Sequence, residues 1–468
     1  MSQKCFIGGL LGFLLAVAGC TVGPNYTRPD VLLPEDWQSS AAAPTGDLSM
    51  WWTTLNDPVL DELIKRAQAE NFDLAAAAAR IDQARALRAY AAGENYPRID
   101  AAGAYTRSRA SENGLAALPG ERSLYSAGFD AAWEIDLFGR IRRSVEAAQA
   151  ELQRAEMDYQ AVRISLIAEI ASTYVELRTT QSRIEYAESN LDIQKKTLEL
   201  VQNRFDLQLA PALDVAQAKL ILSNTESEIP SLRIAEAQAV HRLAVLLGTT
   251  PHTLREIVTP PRPIPTAAAL PAAGLPAELL RRRPDIRSAE RALAAQTARI
   301  GAAEALRYPM LSLSGMLSLE ASHISDMGDW DSRAFAFGPG VRWNLFDGNR
   351  IKSLTAAEEA RTRQLAAAYQ AIVLRAVEET ENAMVGFAQE QQRAASLARS
   401  VAAAQESLGM VQTLYTNGLT DFQNVLDTQR SLTAQQDRLA VSQGQIIQRM
   451  IALYKAVGGG WEAGSDKN

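Results

Sequence analysis

Between Ile141 and Phe205 the apolar positions advance by alternating steps of four and three. They are Ile141, Val145, Ala148, Leu152, Ala155, Tyr159, Val162 and Leu166, then, past an irregular patch near Ile170, Leu177, Ile184, Ala187, Leu191, Leu198, Val201 and Phe205. That alternation is a coiled-coil seam. Neither Pro nor Gly falls between Ile141 and Phe205, so the spacing predicts one helix over 140–205, on the order of 95 Å long. No globular core covers such a rod, and a bilayer about 30 Å thick does not need it. The rod must lie against similar rods and span a distance. The pattern returns from Arg350 to Tyr415.

The return is part of a longer repetition. Asp73 and Tyr96-Pro97 recur 212 positions on as Asp285 and Tyr308-Pro309. Trp133 and Arg140 recur 210 positions on as Trp343 and Arg350, with Leu137-Phe138 matched by Leu345-Phe346. The same 210 carries Phe205 to Tyr415, Leu209 to Leu419 and Val215 to Val425. So steady an offset implies two internal structural repeats, 58–257 and 276–457. Each repeat opens with an Ala-rich helical segment, Pro58 to Ala92 and Pro276 to Leu306, that stops at Tyr-Pro because proline cannot continue a helix. A β-hairpin follows (97–138 and 309–346), then the long helix (140–205 and 350–415), then a return helix (213–247 and 421–457).

The hairpin strands alternate with period two. The first pair shows Ile99, Ala101, Gly103 and Tyr105, then Tyr125, Ala127, Phe129, Ala131, Trp133 and Ile135. The second shows Leu311, Leu313, Gly315, Leu317 and Leu319, then Phe335, Phe337, Pro339, Val341, Trp343 and Leu345. A soluble sheet with one buried face alternates the same way. These hairpins, however, sit at the ends of rods with no other candidate core nearby, and about ten residues is the length of a transmembrane strand. Trp133 and Trp343 stand near strand ends, where membrane-interface aromatics sit. Four strands cannot close a barrel, so the chain must oligomerise; twelve strands in a trimer and eight in a dimer fit the pattern equally.

Between the repeats, 258–275 is a Pro-rich connector, stiff rather than flexible. It is expected to girdle the rods together with the segment 20–57 and the tail 458–468. Asp285 reads as a helix cap, and Arg281, Arg282 and Arg283 as surface pairs. A formal net charge of -7 leaves no basic footprint for nucleic acid. The three histidines, His241, His252 and His323, lack metal-ligand spacing. There is no Gly-rich phosphate loop and no Gly-x-Ser-x-Gly elbow. The expectation is a protein without catalysis, cofactor or metal.

The N-terminus adds an address. Lys4 precedes an apolar run from Phe6 to Ala18, too short to span a bilayer, so 1–19 reads as a signal peptide. Val17-Ala18-Gly19-Cys20 resembles the bacterial lipobox, which implies a covalent lipid such as palmitate on Cys20. Cys5 leaves with the signal peptide, so no disulfide remains. Thr21 after Cys20 implies sorting to the outer membrane.

Further markers are Gly23-Pro24-Asn25-Tyr26, Arg282-Arg283-Pro284-Asp285-Ile286, Trp343-Asn344-Leu345-Phe346-Asp347-Gly348 and Leu426-Asp427-Thr428-Gln429-Arg430. In this order they resemble the outer-membrane efflux factors of the TolC superfamily, in the lipoprotein branch of the OprM and NodT type, over nearly all of the mature chain. The resemblance implies a mixed α and β membrane protein: a homotrimer whose long coiled-coil α-helical barrel stands in the periplasm and whose twelve-stranded transmembrane β-barrel crosses the outer membrane of a Gram-negative bacterium. It implies a passive exit duct for small molecules such as drugs, expelled by an inner-membrane pump of the RND type through a periplasmic adaptor. Alternatives are a type I secretion duct, a metal-efflux duct and, from another class, a non-conducting coiled-coil scaffold lipoprotein of the envelope.

The turns after Phe205 and Tyr415 would form the tip far from the barrel. Asn417-Gly418 suits a tight reversal, whereas Gln208 stands where the second copy has Gly, so unequal tips are expected. Pro211 starts one return helix, and Thr420-Asp421 offers a cap for the other. By resemblance, Asp427 matches a carboxylate ring at a periplasmic gate, Asn424 lies where a relative has a second Asp, and Asp214 and Tyr415 match a pair holding the tip shut. An Arg found near that latch in one branch of the family is replaced by Thr420. Asp214 and Asp421 also sit in first helical turns, where a carboxylate is favoured regardless of function. Three copies of Asp427 around a narrow axis would repel one another and favour cations. Opening would draw its energy from a bound partner.

Overall fold

The computed structural model describes residues 21–30, 48–111, 121–266 and 282–462. The signal segment 1–19, Cys20, Arg281 and the later part of the connector lie outside them. In chain order the helices and strands are α1 (Pro58–Glu70), α2 (Phe72–Gly93), β1 (Arg98–Arg109), β2 (Glu121–Ile135), α3 (Arg140–Asp206), α4 (Ala212–Leu246) and α5 (Pro251–Val258). They continue as α6 (Pro284–Ala305), β3 (Met310–Ala321), β4 (Arg333–Arg342), α7 (Arg350–Thr416) and α8 (Phe422–Ala456). The long helices α3 and α7 have 67 residues each, and the return helices α4 and α8 have 35 each. The described residues form two compact units, one drawn from 21–30, 80–156 and 288–370, the other from 48–79, 157–287 and 371–462.

In the first unit the four strands make one antiparallel sheet in the order β1-β2-β3-β4. The two hairpins expected from the sequence are thus joined through β2 and β3, with Phe129 opposite Leu317. Every register pairs odd-numbered residues with odd-numbered ones: Tyr105 with Tyr125, Trp133 with Leu313, Leu317 with Phe335. Because side chains alternate along a strand, one parity gives one face. That face carries Ile99, Tyr105, Phe129, Trp133, Leu317, Phe335, Phe337 and Val341, all exposed. The even face carries Asp100, Ser126, Asp130, Ser314 and Glu320.

The N-terminal strap 21–30 belongs to this unit. Val22 N–H donates to Phe138 O (3.1 Å), and Arg143 donates to Val22 O (3.2 Å) and to Asn25 Oδ1 (2.8 Å). Arg28 pairs with Glu290 at 2.9 Å. Gly23, with φ of 86°, lies so close to Gly301 that a Cβ would stand 2.4 Å from its Cα. The Gly-Pro-Asn-Tyr marker is therefore a docking sequence.

In the second unit Trp51 stacks on Tyr454 at 5.0 Å. Around that pair Leu60, Leu63 and Ile64 of α1 pack with Ile167, Ile170 and Tyr174 of α3 and with Met450 and Ile451 of α8. The single helical segment expected from Pro58 to Ala92 is in fact broken at Asn71, which is extended (φ -70°, ψ 129°). Its amide donates to Leu246 O (2.9 Å) while its Oδ1 accepts from Leu74 N–H (2.9 Å), so one side chain crosslinks α4 and caps α2. Arg283, expected at the surface, is buried. It reaches Asp285 (2.7 Å), Glu379 (2.8 Å) and Ala456 O (2.9 Å). Pro230 lies inside α4, where it removes one helical hydrogen bond.

At Gly128 the backbones of β2 and β3 approach too closely for a side chain. A Cβ there would meet Leu317 O at 2.4 Å and Ser318 Cα at 2.7 Å, whereas one at Gly103 would meet nothing nearer than 3.8 Å. Gly128→Ala should therefore cost about 1–3 kcal/mol of stability by overpacking and Gly103→Ala close to nothing, as thermal melts of the two purified variants would show.

Candidate functional site

At one pair of turns, α3 reverses into α4 and α7 into α8. Both long helices end the same way. Gln208 (φ 58°) donates to Phe205 O while Leu209 donates to Arg204 O, each at 2.8 Å; Gly418 (φ 73°) donates to Tyr415 O (3.0 Å) while Leu419 donates to Leu414 O (2.9 Å). These are left-handed helix ends of the Schellman type. The backbone of the two turns is thus alike, and their inequality lies in side chains and in the strain of a left-handed Gln.

Val201, Val215, Ile221, Tyr415, Phe422, Val425 and Leu426 form a small apolar core beneath the turns. Tyr415 and Phe422 stand 5.3 Å apart, ring to ring. Arg204 lies over the Tyr415 ring at 4.8 Å, and its Nη1 donates to Tyr415 O (3.0 Å) and Thr416 O (2.8 Å). A cation here satisfies carbonyls at the C-terminal end of α7. Sequence reasoning missed Arg204; its place one turn before the first reversal was the available signal.

Tyr415 Oη approaches Asp214 Oδ2 at 3.5 Å, the long limit of a hydrogen bond. Burial pushes the Asp214 carboxyl above the ordinary aspartate range, the Asp421 charge adds to this, and Tyr415 and Arg204 oppose it. Burial likewise raises the Tyr415 phenol. Asp427 stands apart from this group on the exposed side of α8, accepting from Gln423 Nε2 (3.0 Å) and facing Arg430 Nη1 at 3.5 Å. Asn424 donates to Thr420 Oγ1 at 2.9 Å. Asp421 occupies the N-cap position of α8, yet its side chain makes no capping bond. The structure therefore gathers Asp214, Tyr415 and Arg204, with Asp421 acting on Asp214 by its charge, and leaves Asp427 and Asn424 on an open face.

In the sheet, Trp133 Nε1 donates to Asn95 O (2.9 Å) and Trp343 Nε1 to Arg307 O (3.1 Å), each the residue before a Tyr-Pro. From Trp133 to Tyr125 the strand rises about 27 Å, close to the apolar band of about 25 Å in membrane barrels. Among the described residues no helix is long and apolar enough to cross a membrane, and no three His, Cys, Asp or Glu side chains gather as a metal cluster.

Long helices that share a chain with strands bearing an exposed apolar face fit one class, the helix-and-barrel ducts of outer membranes. The outer membrane efflux protein family matches residues 63–249 and again 275–459, and the chain belongs to that family. Nodulation protein T of Rhizobium leguminosarum bv. trifolii is 32% identical over 453 residues, 96% of each chain. A pyoverdine export outer membrane protein of Pseudomonas aeruginosa, OpmQ, is 28% identical over 462 residues, 97% of each chain. The solved outer-membrane channel OprN superposes with a TM-score of 0.87 at 36% identity, covering 94% of this chain and 100% of that one. The protein is thus an outer-membrane efflux channel of the TolC type, built from an α-helical barrel and a β-barrel, in a family of transport ducts for which no catalysis is indicated.

The strain at Gln208 is measurable. Gln208→Gly exchanges a left-handed cost of about 1–2 kcal/mol for a smaller entropic one, so the tip should gain roughly 0.5–1 kcal/mol, while Gly418→Ala should lose about as much. Asp214, with its raised pKa, stabilises the folded tip most below the ordinary aspartate range and progressively less as pH rises through the raised value. Hydrogen-exchange protection of the tip amides, corrected for intrinsic rate, should rise on acidification in the wild type and stay flat in Asp214→Asn.

Proposed function

We propose that the chain is the outer-membrane duct of a tripartite efflux system: a homotrimer, lipid-anchored through Cys20, that passively conducts small molecules delivered by an inner-membrane pump of the RND type through a periplasmic adaptor. It performs no covalent chemistry. The observation that carries the reading is the four-stranded sheet, whose apolar face is uncovered and whose two edges, β1 and β4, have no partner strand among the described residues. Edge strands of that kind require pairing in a membrane. The names of the relatives run from nodulation to pyoverdine export, which fits a duct whose cargo the pump selects.

The lipid anchor is supported by the strap. Thr21, the residue after Cys20, packs against Gly139 at the start of α3, where a Cβ would stand 2.6 Å from Thr21 Cγ2.

The gate reading assigns two roles. Asp214, Tyr415 and Arg204 latch one pair of turns to the other, and Asp427, on the open side of α8, faces the axis of the trimer with Asn424 beside it. Three Asp427 carboxylates would make the constriction cation-selective. Asp427→Ala should then shift the reversal potential of the purified channel in a salt gradient towards zero, whereas Tyr415→Phe should leave selectivity intact and raise the open fraction. Equal selectivity in wild type and Asp427→Ala would remove Asp427 from the gate.

Trimer contacts follow from likeness between the halves. Phe138 stacks on Tyr308 at 4.8 Å within the chain. Their counterparts Phe346 and Tyr96 are 91% and 73% exposed. They should stack between neighbouring protomers, where β4 of one copy meets β1 of the next. A Tyr96→Cys, Phe346→Cys double variant should crosslink into a covalent trimer under mild oxidation, and either single variant should not.

A further inference from the structure

The apolar face of the sheet is not uniform. A groove of about 620 Å³ lies along it, lined by Ala101, Gly103, Ala127, Phe129, Leu317 and Arg333 among others, with the backbone at Gly128 and Ser318. Ala101, Gly103 and Ala127 leave room because they are small, while Phe129 and Leu317, each 58% exposed, stand up beside them. Such a channel on a lipid-facing surface fits hydrocarbon chains rather than water-soluble molecules, and its volume is that of an ordinary ligand site.

One lining residue breaks the apolar pattern. Arg333 is the first residue of β4, opposite Leu319, and its odd number places it on the apolar face. Its guanidinium lies 3.3 Å from the centre of the Trp330 ring, which is itself 75% exposed. Among the described residues no carboxylate pairs with Arg333. By contrast Arg107, on the same face and at the same end of the sheet, is held by Glu121. An unpaired cation at the end of an apolar groove is complementary to a molecule with acyl chains and an anionic head, and a guanidinium matches phosphate in geometry as well as charge.

The end of the sheet is informative too. Trp133 and Trp343 mark the strand ends that adjoin the helices, and Arg333 lies at the opposite end, beside the loop 322–332. On the reading that the helices stand in the periplasm, that end meets the outer leaflet. We propose that this groove is a binding site for a phosphorylated glycolipid of the outer leaflet, with an acyl chain along Ala101, Gly103 and Ala127 and a phosphate on Arg333. Trp330 holds the guanidinium flat and supplies an aromatic surface to the sugar. The site rests on the membrane-channel reading and adds to it a specific lipid partner for the outer rim.

The test uses the full-length protein, purified in detergent and delipidated, titrated with bis-phosphorylated lipid A and followed by native mass spectrometry and Trp fluorescence. Dephosphorylated lipid A, phosphatidylglycerol and inorganic phosphate serve as comparisons. Lipid A should bind the wild type and perturb the Trp signal, and Arg333→Gln should bind it about tenfold more weakly, the loss of one charge-assisted contact. Ala127→Leu, which fills the groove, should also weaken lipid A. Equal binding by wild type and Arg333→Gln, or by phosphatidylglycerol and lipid A, overturns the proposal. Conductance of the same preparations separates the two readings: a conducting channel indifferent to lipid A refutes only the glycolipid site, and a well-folded protein without conductance refutes the duct.

Discussion

Among the described residues β1 and β4 have no outer partner strand, and their unpaired backbone groups set the terms for the rest of the chain. A strand edge in hydrocarbon has no water to satisfy it, so only a closed barrel is tolerated there, and four strands per chain fall short of the smallest one. Closure must come from further copies, which makes folding of the membrane part inseparable from assembly. Two sequence features prepare the sheet for it. The registers keep odd opposite odd across all three strand pairs, so one apolar face extends over all four strands. Gly128, with no Cβ to collide with Leu317 and Ser318, lets β2 and β3 approach closely.

The helices meet a different requirement, since they must associate along their length without becoming one rigid block. Between α7 and α8, Val401 and Leu408 pack with Leu432 and Leu439, and Ser442 donates to Glu390. Between α3 and α8, apolar packing of Ile167 and Ile170 with Met450 and Ile451 is accompanied by a run of polar contacts. Gln429 donates to Thr197 (2.8 Å), Asn190 to Gln436 (2.8 Å) and Gln448 to Ser172 O (2.7 Å), and Arg183 pairs with Asp437 at 2.6 Å. Gly444 allows the two backbones close, since a Cβ there would clash with Thr179. Buried hydrogen bonds fix register more than they add stability. They can also be exchanged for water at little cost when helices part, which leucine contacts cannot.

Most of this was legible where a period ran for many residues. The seam from Ile141 placed the long helix at 140–205, and it is Arg140–Asp206. The period-two runs placed the strands. What the sequence hid was joined across long separations. Pairing of β2 with β3 links residues nearly two hundred positions apart and leaves no local trace. Asn71 looked like one polar residue in an Ala-rich helix, because its break is set by a carbonyl on α4. Arg283 looked like a surface charge, because Glu379 and the Ala456 carbonyl arrive from elsewhere. At the tip, resemblance pointed to Asp214 and Tyr415, while Arg204, which holds the ring and the carbonyls together, carries no motif of its own.

The most direct measurement is single-channel recording on the purified wild-type protein in planar bilayers, with heat-modified migration checked on the same sample. A duct assembled by edge-to-edge closure predicts an oligomer that resists SDS until heated and a steady unitary conductance from it. A well-folded oligomer that inserts and carries no current, in the wild type and in variants with the tip latch removed, would contradict the pore and leave an envelope scaffold in its place.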